Sequence, residues 1–307
     1  MAFLLILSER QEDIEFGRKL AKASGMKAGA VKNSTDLRNT LATYPKAIVL
    51  WNVDDEQFYS ETSQIIPKYT TAQRTFVVTE NPIHTYPHLL QYPVFGHHLL
   101  RRYQDPATEI YARMIAASQE IEMFGMKRYF PDQVKTQTIV ITKTAHKRAA
   151  VDALQNSLTK QGIMGRMSSL VAQATDEIIM NAIFDAPIGM NQKRLKHDLP
   201  RETEITLGQN ERVEVSIAST ENYMGVCVTD YFGSLKKETL IRSLFEAYDT
   251  KGGSVALGLQ GAMQAGLSLL FIVQANVKTE VITLFPRSES FKEFRAGFRF
   301  LSLVMNK

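Results

Sequence analysis

The chain has 307 residues, enough for two ordinary domains, and its 44% hydrophobic and 22% charged residues have the balance of a soluble globular protein. A formal net charge of +4 makes no electrostatic case for nucleic acid or a membrane as partner. The one cysteine, Cys227, excludes an intramolecular disulfide and a zinc cluster, and fits a reducing compartment.

From the N-terminus, Met1 to Leu7 is apolar with no basic run before it. Charges arrive at Glu9 and Arg10, too early for a signal-peptide core. Phe3 to Ser8 is expected as a strand. Gln11 to Ser24 has helical spacing through Ile14, Phe16, Leu20 and Ala21. A strand around Ala28 to Val31 is followed by Asn33-Ser34-Thr35-Asp36, which supplies helix-capping chemistry. Ala47 to Trp51 and Thr75 to Thr79 are further strands, and Val94-Phe95 opens a fifth. Strands alternating with helices over residues 1–104 predict an α/β domain, a doubly wound parallel sheet covered on both faces.

This order resembles a response-regulator receiver domain. The resemblance implies an acidic pair after the first strand, to hold magnesium, and an aspartate at the end of the third, to take phosphate. Here the first strand ends Ser8-Glu9-Arg10 and the third Trp51-Asn52. Asp54 and Asp55 lie a few residues later, as displaced acids or as the cap of the next helix. Lys46 does not fill the lysine role near the fifth strand, where His97-His98 stand instead. A pseudo-receiver that cannot be phosphorylated is the implied state. Adjacent strand residues face opposite ways, so His97 and His98 do not share an ion, and with His84 and His88 they are expected at the surface.

Asp105-Pro106 reads as the start of a linker helix over 105–130. Ile110, Met114, Ala117, Ile121 and Phe124 recur at heptad-type spacing. Two readings stand side by side: a helix packed on its neighbouring domain, or a signalling helix forming a homodimer seam.

Residues 131–307 form the second domain. A strand at Thr138 to Ile141 and a helix at Lys147 to Gln161 precede a helix from Ser168 to Asp185. There Glu177 and Asn181, four apart, share one face, beside the apolar Ala174, Ile178 and Ala182. An amide oxygen is a hard ligand suited to magnesium, and a carboxylate can take a proton from an attacking hydroxyl or water. After strands at Val213 to Ile217 and Gly225 to Thr229 comes Asp230-Tyr231-Phe232-Gly233. An aspartate just beyond a strand can meet adenine's amino group, with glycine letting the backbone approach. A charged segment, Leu235 to Lys251, leads to Gly252-Gly253-Ser254-Val255-Ala256-Leu257-Gly258-Leu259, a turn entering a helix of the kind that binds phosphate. Val255 to Val273 reads as turn, helix and buried strand rather than a membrane span. Lys278 to Leu284 is the last strand expected.

This order over about 134–286 resembles the GHKL (Bergerat) superfamily of ATP-binding domains, which includes histidine kinases, anti-sigma-factor kinases and gyrase. The helical pair before the asparagine helix is most similar to the anti-sigma-factor kinase branch. The resemblance implies an α+β sandwich that binds ATP or ADP with Mg²⁺. In it Asn181 ligates magnesium and Glu177 is the catalytic base. Asp230 receives the adenine amino group, Gly233, Gly253 and Gly258 shape the nucleotide pocket, and Thr279 supports the adenine-side hydrogen bonds. It further implies a cytoplasmic bacterial signalling protein with a protein partner, either a serine/threonine kinase or ATPase, or a non-catalytic nucleotide-sensing module. Two departures bear on this choice. Ser234 follows Gly233 where a second glycine is usual, and Ser254 and Ala256 stand at glycine positions of the second box. His146 is followed by Lys147-Arg148 and not by the acid of a histidine-kinase box. His197, in a basic stretch with Lys193 and Lys196, is expected in a solvated loop, with phosphate neutralisation by either lysine as the alternative.

Overall fold

The most apolar short segments of the chain become its central strands. The computed structural model describes residues 2–90, 92–103, 107–120, 123–189, 193–245, 259, 261–263 and 266–306. They fall into two units, described separately.

The first unit comprises Met1–Phe124, Arg128–Phe130 and Phe298–Val304. Its strands β1 (Phe3–Leu7), β2 (Lys27–Val31), β3 (Ile48–Asn52), β4 (Thr75–Thr79) and β5 (His97–Leu100) lie in the order 2-1-3-4-5, all parallel. Every residue of β3, β4 and β5 is buried, as strands covered on both faces require. Helices α1 (Gln11–Ala23), α2 (Ser34–Thr43), α3 (Glu56–Ser63), α4 (Pro87–Leu90) and α5 (Ala107–Ala117) accompany them. Asn33 caps α2 by accepting from the Asp36 amide, and Asp55 caps α3 by accepting from the Phe58 amide. In a doubly wound sheet of this order the strand order reverses between β1 and β3, and the crevice at their carboxyl ends is the usual place for a ligand.

The expected linker helix differs in the structure. Asp105-Pro106 and Ile121 lie outside the described residues. Helix α5 stops at Ala117, Gly125 takes a left-handed φ of +99°, and a short 3₁₀ turn covers Met126–Tyr129. Helix α5 packs on α1, and Ser24 Oγ donates to the Ala112 carbonyl at 3.1 Å. Ile110, Met114 and Ala117 are therefore core residues, in keeping with a helix packed on its own domain.

The second unit comprises Gly125–Lys127, Pro131–Gly297 and Met305–Lys307. Strands β6 (Gln137–Ile141), β7 (Val213–Ser219), β8 (Tyr223–Asp230), β9 (Ser268–Gln274) and β10 (Lys278–Pro286) form an antiparallel sheet in the order 9-10-8-7-6. Helices α6 (Ala145–Lys160) and α7 (Gly165–Met180) pack against each other, and α7 also lies on β8. Helices α8 (Lys237–Phe245) and α9 (Phe291–Ala296) complete the unit. Ala150, Leu154 and Leu158 of α6 and Val171, Ala174 and Ile178 of α7 are buried, the faces that the sequence spacing marks.

A last strand, β11 (Phe300–Asn306), was not foreseen. It pairs antiparallel with β5, so residues 298–304 complete the first unit rather than the second. The same strand corrects the reading of the paired histidines. His97 shares a 2.8 Å hydrogen bond with Ser302 Oγ and a 3.1 Å bond with the Gln73 carbonyl, and it stacks on Phe76. His98 shares a 2.6 Å bond with Thr79 Oγ1. Both are buried, and burial pushes their pKa values down to about 4 and about 3. His84 and His88 are exposed as expected.

Among the described residues no helix is long and apolar enough to cross a membrane.

Candidate functional site

The site in the second unit starts from Asp230, the last residue of β8. Its carboxylate accepts the backbone N–H groups of Phe232 (2.9 Å) and Gly233 (3.3 Å), a local turn that aspartate side chains favour. The side chain is nevertheless buried. Loss of solvent raises its pKa to about 6 against the opposing pull of those amides and of Thr279. Gly233 makes the turn possible. Its φ is +59°, and a Cβ there would lie 2.0 Å from the Gln274 carbonyl oxygen. The Asn276 amide donates to the Gly233 carbonyl at 3.1 Å. Gly233 thus shapes the site from behind, by fixing Asp230 on the β9–β10 turn.

Thr279, on β10, is the direct cross-strand partner of Asp230. Its hydroxyl is buried and close enough to favour the ionised carboxylate, yet it makes no hydrogen bond of good geometry among the described residues.

Facing this pair is α7. Glu177 and Asn181 sit on the flank that the sequence marks, with Ala174, Ile178 and Ala182 buried beside them. At Asn181 the helix widens into a π turn over Asn181–Asp185, a distortion frequent at functional sites. Glu177, Asn181, Asp230 and Thr279 all line one cavity of about 180 Å³, whose apolar wall includes Ile178, Val228, Phe271 and Val281. The volume is small beside the roughly 300–1,000 Å³ of ordinary small-molecule pockets. It suits one ring system of a larger ligand. Burial raises the pKa of the Glu177 carboxyl, with Arg201 pulling the other way. A carboxylate moved up in this manner is better matched to proton transfer near neutrality.

The departure at Ser234 has a structural role. Its hydroxyl donates to the Ala186 carbonyl at 2.7 Å, tying the segment after β8 to the end of the π turn. Gly253 and Gly258, with Ser254 and Ala256, lie outside the described residues.

Four residues at the cavity were not singled out for it from the sequence. Asp185, one turn beyond Asn181, bonds Arg201 Nη2 at 2.8 Å and His197 Nδ1 at 2.5 Å, with Arg194 Nη1 at 3.5 Å. All four line the cavity. His197 is exposed in irregular chain, as expected, and in addition joins Asp185, Arg194 and Arg201. Lys196 pairs with Glu211 at 2.9 Å, and neither it nor Lys193 is a lining residue. The i+4 step from Asn181 to Asp185 was a signal available in the sequence. The basic partners come from irregular chain, where no period announces them.

No group of three or more His, Cys, Asp or Glu side chains able to hold a metal occurs among the described residues. Magnesium commonly binds through very few protein groups plus substrate phosphates and water, which one asparagine at the cavity suits.

In the first unit the carboxyl ends of β1, β3 and β5 carry a closed polar network. Arg101, just past β5, bonds Asp13 through Nε (2.9 Å) and Nη2 (3.2 Å), Asp54 through Nη1 (2.6 Å) and Asn52 Oδ1 through Nη2 (3.1 Å). Ser8 and Tyr103 also donate to Asp13, and Tyr86 donates to Asp54. Burial alone would raise the pKa of Asp13, but these donors hold it below the usual carboxylate range. Asp54 is thus one of the acids of this crevice, while Asp55 is the helix cap. Trp51 is fully buried and stacks on Tyr59.

Compared with known proteins, the chain matches no family model and no curated protein.

Proposed function

We propose that the second unit binds an adenine nucleotide with magnesium and that the chain is a signalling protein of GHKL-like type. The observation that carries this is the buried Asp230–Thr279 pair in one cavity with Glu177 and Asn181. The Asp230 carboxylate accepts the exocyclic amino group of adenine, and the apolar wall takes the faces of the ring. Asn181 offers its amide oxygen to the metal that accompanies the phosphates.

Glu177, half-buried and with a raised pKa, favours an enzyme, a kinase or ATPase in which it accepts the proton of the attacking hydroxyl or water. The rival reading, a nucleotide-sensing switch read by a protein partner, draws on Ser254 and Ala256 in the second glycine box. Phosphate release by wild type and Glu177→Gln decides between them. The enzyme reading expects turnover to fall about 10²–10⁴-fold in the variant with nucleotide affinity nearly unchanged. A wild type that does not turn over supports the switch. An equally active variant removes Glu177 from the chemistry.

The first unit reads as a receiver-like domain whose crevice is filled from within. Arg101 holds Asp13 and Asp54 together, and Trp51 stands in the core at the acceptor position, so this unit responds to something other than its own phosphorylation.

A further inference from the structure

We propose that Arg194, His197 and Arg201 form a recognition site for the distal phosphates of a nucleoside triphosphate, so that the cavity distinguishes nucleotides by phosphate number. This rests on the adenine reading of the same cavity and adds what the rest of the ligand must be.

Three nitrogen-bearing side chains converge on the single carboxylate of Asp185, which divides its oxygens between them: Oδ1 to His197 and Arg194, Oδ2 to Arg201. Each guanidinium carries five N–H donors, and one carboxylate engages few of them. Among the described residues, Arg194 reaches Asp185 through Nη1 alone. The side chains of Arg194, His197 and Arg201 are 41%, 50% and 35% exposed, so an incoming anion reaches them without unfolding the segment.

Arg201 is also placed in advance. It donates to the Met180 carbonyl at 3.3 Å and lies over the Phe184 ring at 5.1 Å, contacts that fix its plane on the π turn. Planar guanidinium donors match phosphate oxygens in pairs, which a lysine ammonium does not. The cluster sits at the cavity that Asp230 and Thr279 also line, and Asp185, which gathers it, ends the π turn that begins at Asn181. Glu177 and Asp185 add negative charge to the same cavity. An anion therefore gains most where the guanidinium forks reach it directly, and Asp185 holds those forks in register until it arrives.

The test uses the full chain and calorimetric titration with adenosine, ADP, ATP and inorganic tripolyphosphate, each with magnesium. The proteins are wild type, Arg194→Gln, Arg201→Gln, Arg201→Lys and, as a control on the same segment, Lys196→Gln. The expected result is an ATP-over-ADP preference in wild type that falls about tenfold with each guanidinium lost. Arg201→Lys should recover it only in part, Lys196→Gln should keep it, and adenosine affinity should be the same throughout. That common adenosine affinity also certifies that each variant is folded. Variants that bind adenosine and keep the wild-type ATP preference would overturn the phosphate site and leave the adenine reading intact. Tripolyphosphate binding that depends on both arginines, without any adenosine binding, would keep the anion site and remove the adenine reading. Binding of neither probe would remove both.

Discussion

The carboxyl group of Asp230 is buried at the end of β8. Its pKa in the fold, about 6, exceeds the ordinary 3.8, so the folded state takes up the proton more readily than the unfolded chain. The stabilising contribution of this group is full below pH 3.8 and is lost as pH rises through about 6. Above that, the buried charge costs up to about 3 kcal/mol. Asp230→Asn keeps an oxygen for the Phe232 and Gly233 amides but carries no charge. It should unfold at a higher temperature than wild type at pH 8, with most of the difference gone by pH 4. Thermal melts at the two pH values check this, and an equal or lower melting temperature at pH 8 would contradict it. Arg101 presents the opposite case. Removing it leaves the buried Asp13 and the partly buried Asp54 without their counter-charge, and Arg101→Met should destabilise the first unit by about 3–5 kcal/mol in urea unfolding. A change under 1 kcal/mol would mean that water or local rearrangement takes over its role. Arg101 was not legible as a site residue because nothing in Leu100-Arg101-Arg102 says which arginine turns inward. The carboxylates that select it stand 47 and 88 positions away.

At the scale of elements, the strands and helices that follow a regular period were legible, and those fixed by distant partners were not. Helix α7 reads from its spacing, and so does the polar flank of Glu177 and Asn181. The widening into a π turn does not, because Asn181-Ala182-Ile183-Phe184-Asp185 would continue an α-helix equally well. Strand β11 is a short apolar run whose partner β5 lies some two hundred residues earlier, beyond the reach of any local pattern. That pairing also explains the histidines: His97 is buried because Ser302, 205 positions away, satisfies it. Strand β5 therefore makes the first unit acid-sensitive. The folded pKa values of about 4 and about 3 lie below the unfolded value of 6.5, so stability is full above pH 6.5 and is lost as pH falls towards them. The loss is about 1.4 kcal/mol per pH unit for each histidine. Trp51, the chain's one tryptophan and fully buried in this unit, is the natural reporter. Its fluorescence in urea titrations should give a stability that declines from pH 6.5 to 4, less steeply in His98→Gln. A stability flat over that window would refute the assignment.

At the scale of the whole molecule, the first unit is built from both ends of the chain, since residues 298–304 supply a strand to it. Residues 1–104 are thus not a complete unit, and the experiments above use the full chain. The candidate site was legible where its residues sit on regular elements. Glu177, Asn181, Asp230 and Thr279 are separated by up to about a hundred positions, and helix and strand geometry brings them to one cavity. Arg194, in a basic stretch that reads as a solvated loop, and Arg201 were not legible as cavity residues, because irregular chain has no period to project from. The most direct test of the central claim is a titration of the full chain with ATP or ADP and magnesium at pH 8, set beside Asp230→Asn. Saturable binding to wild type is expected, weaker by about 1–3 kcal/mol in the variant although the variant is at least as stable. No saturable binding to wild type, or equal affinity in the variant, would contradict it.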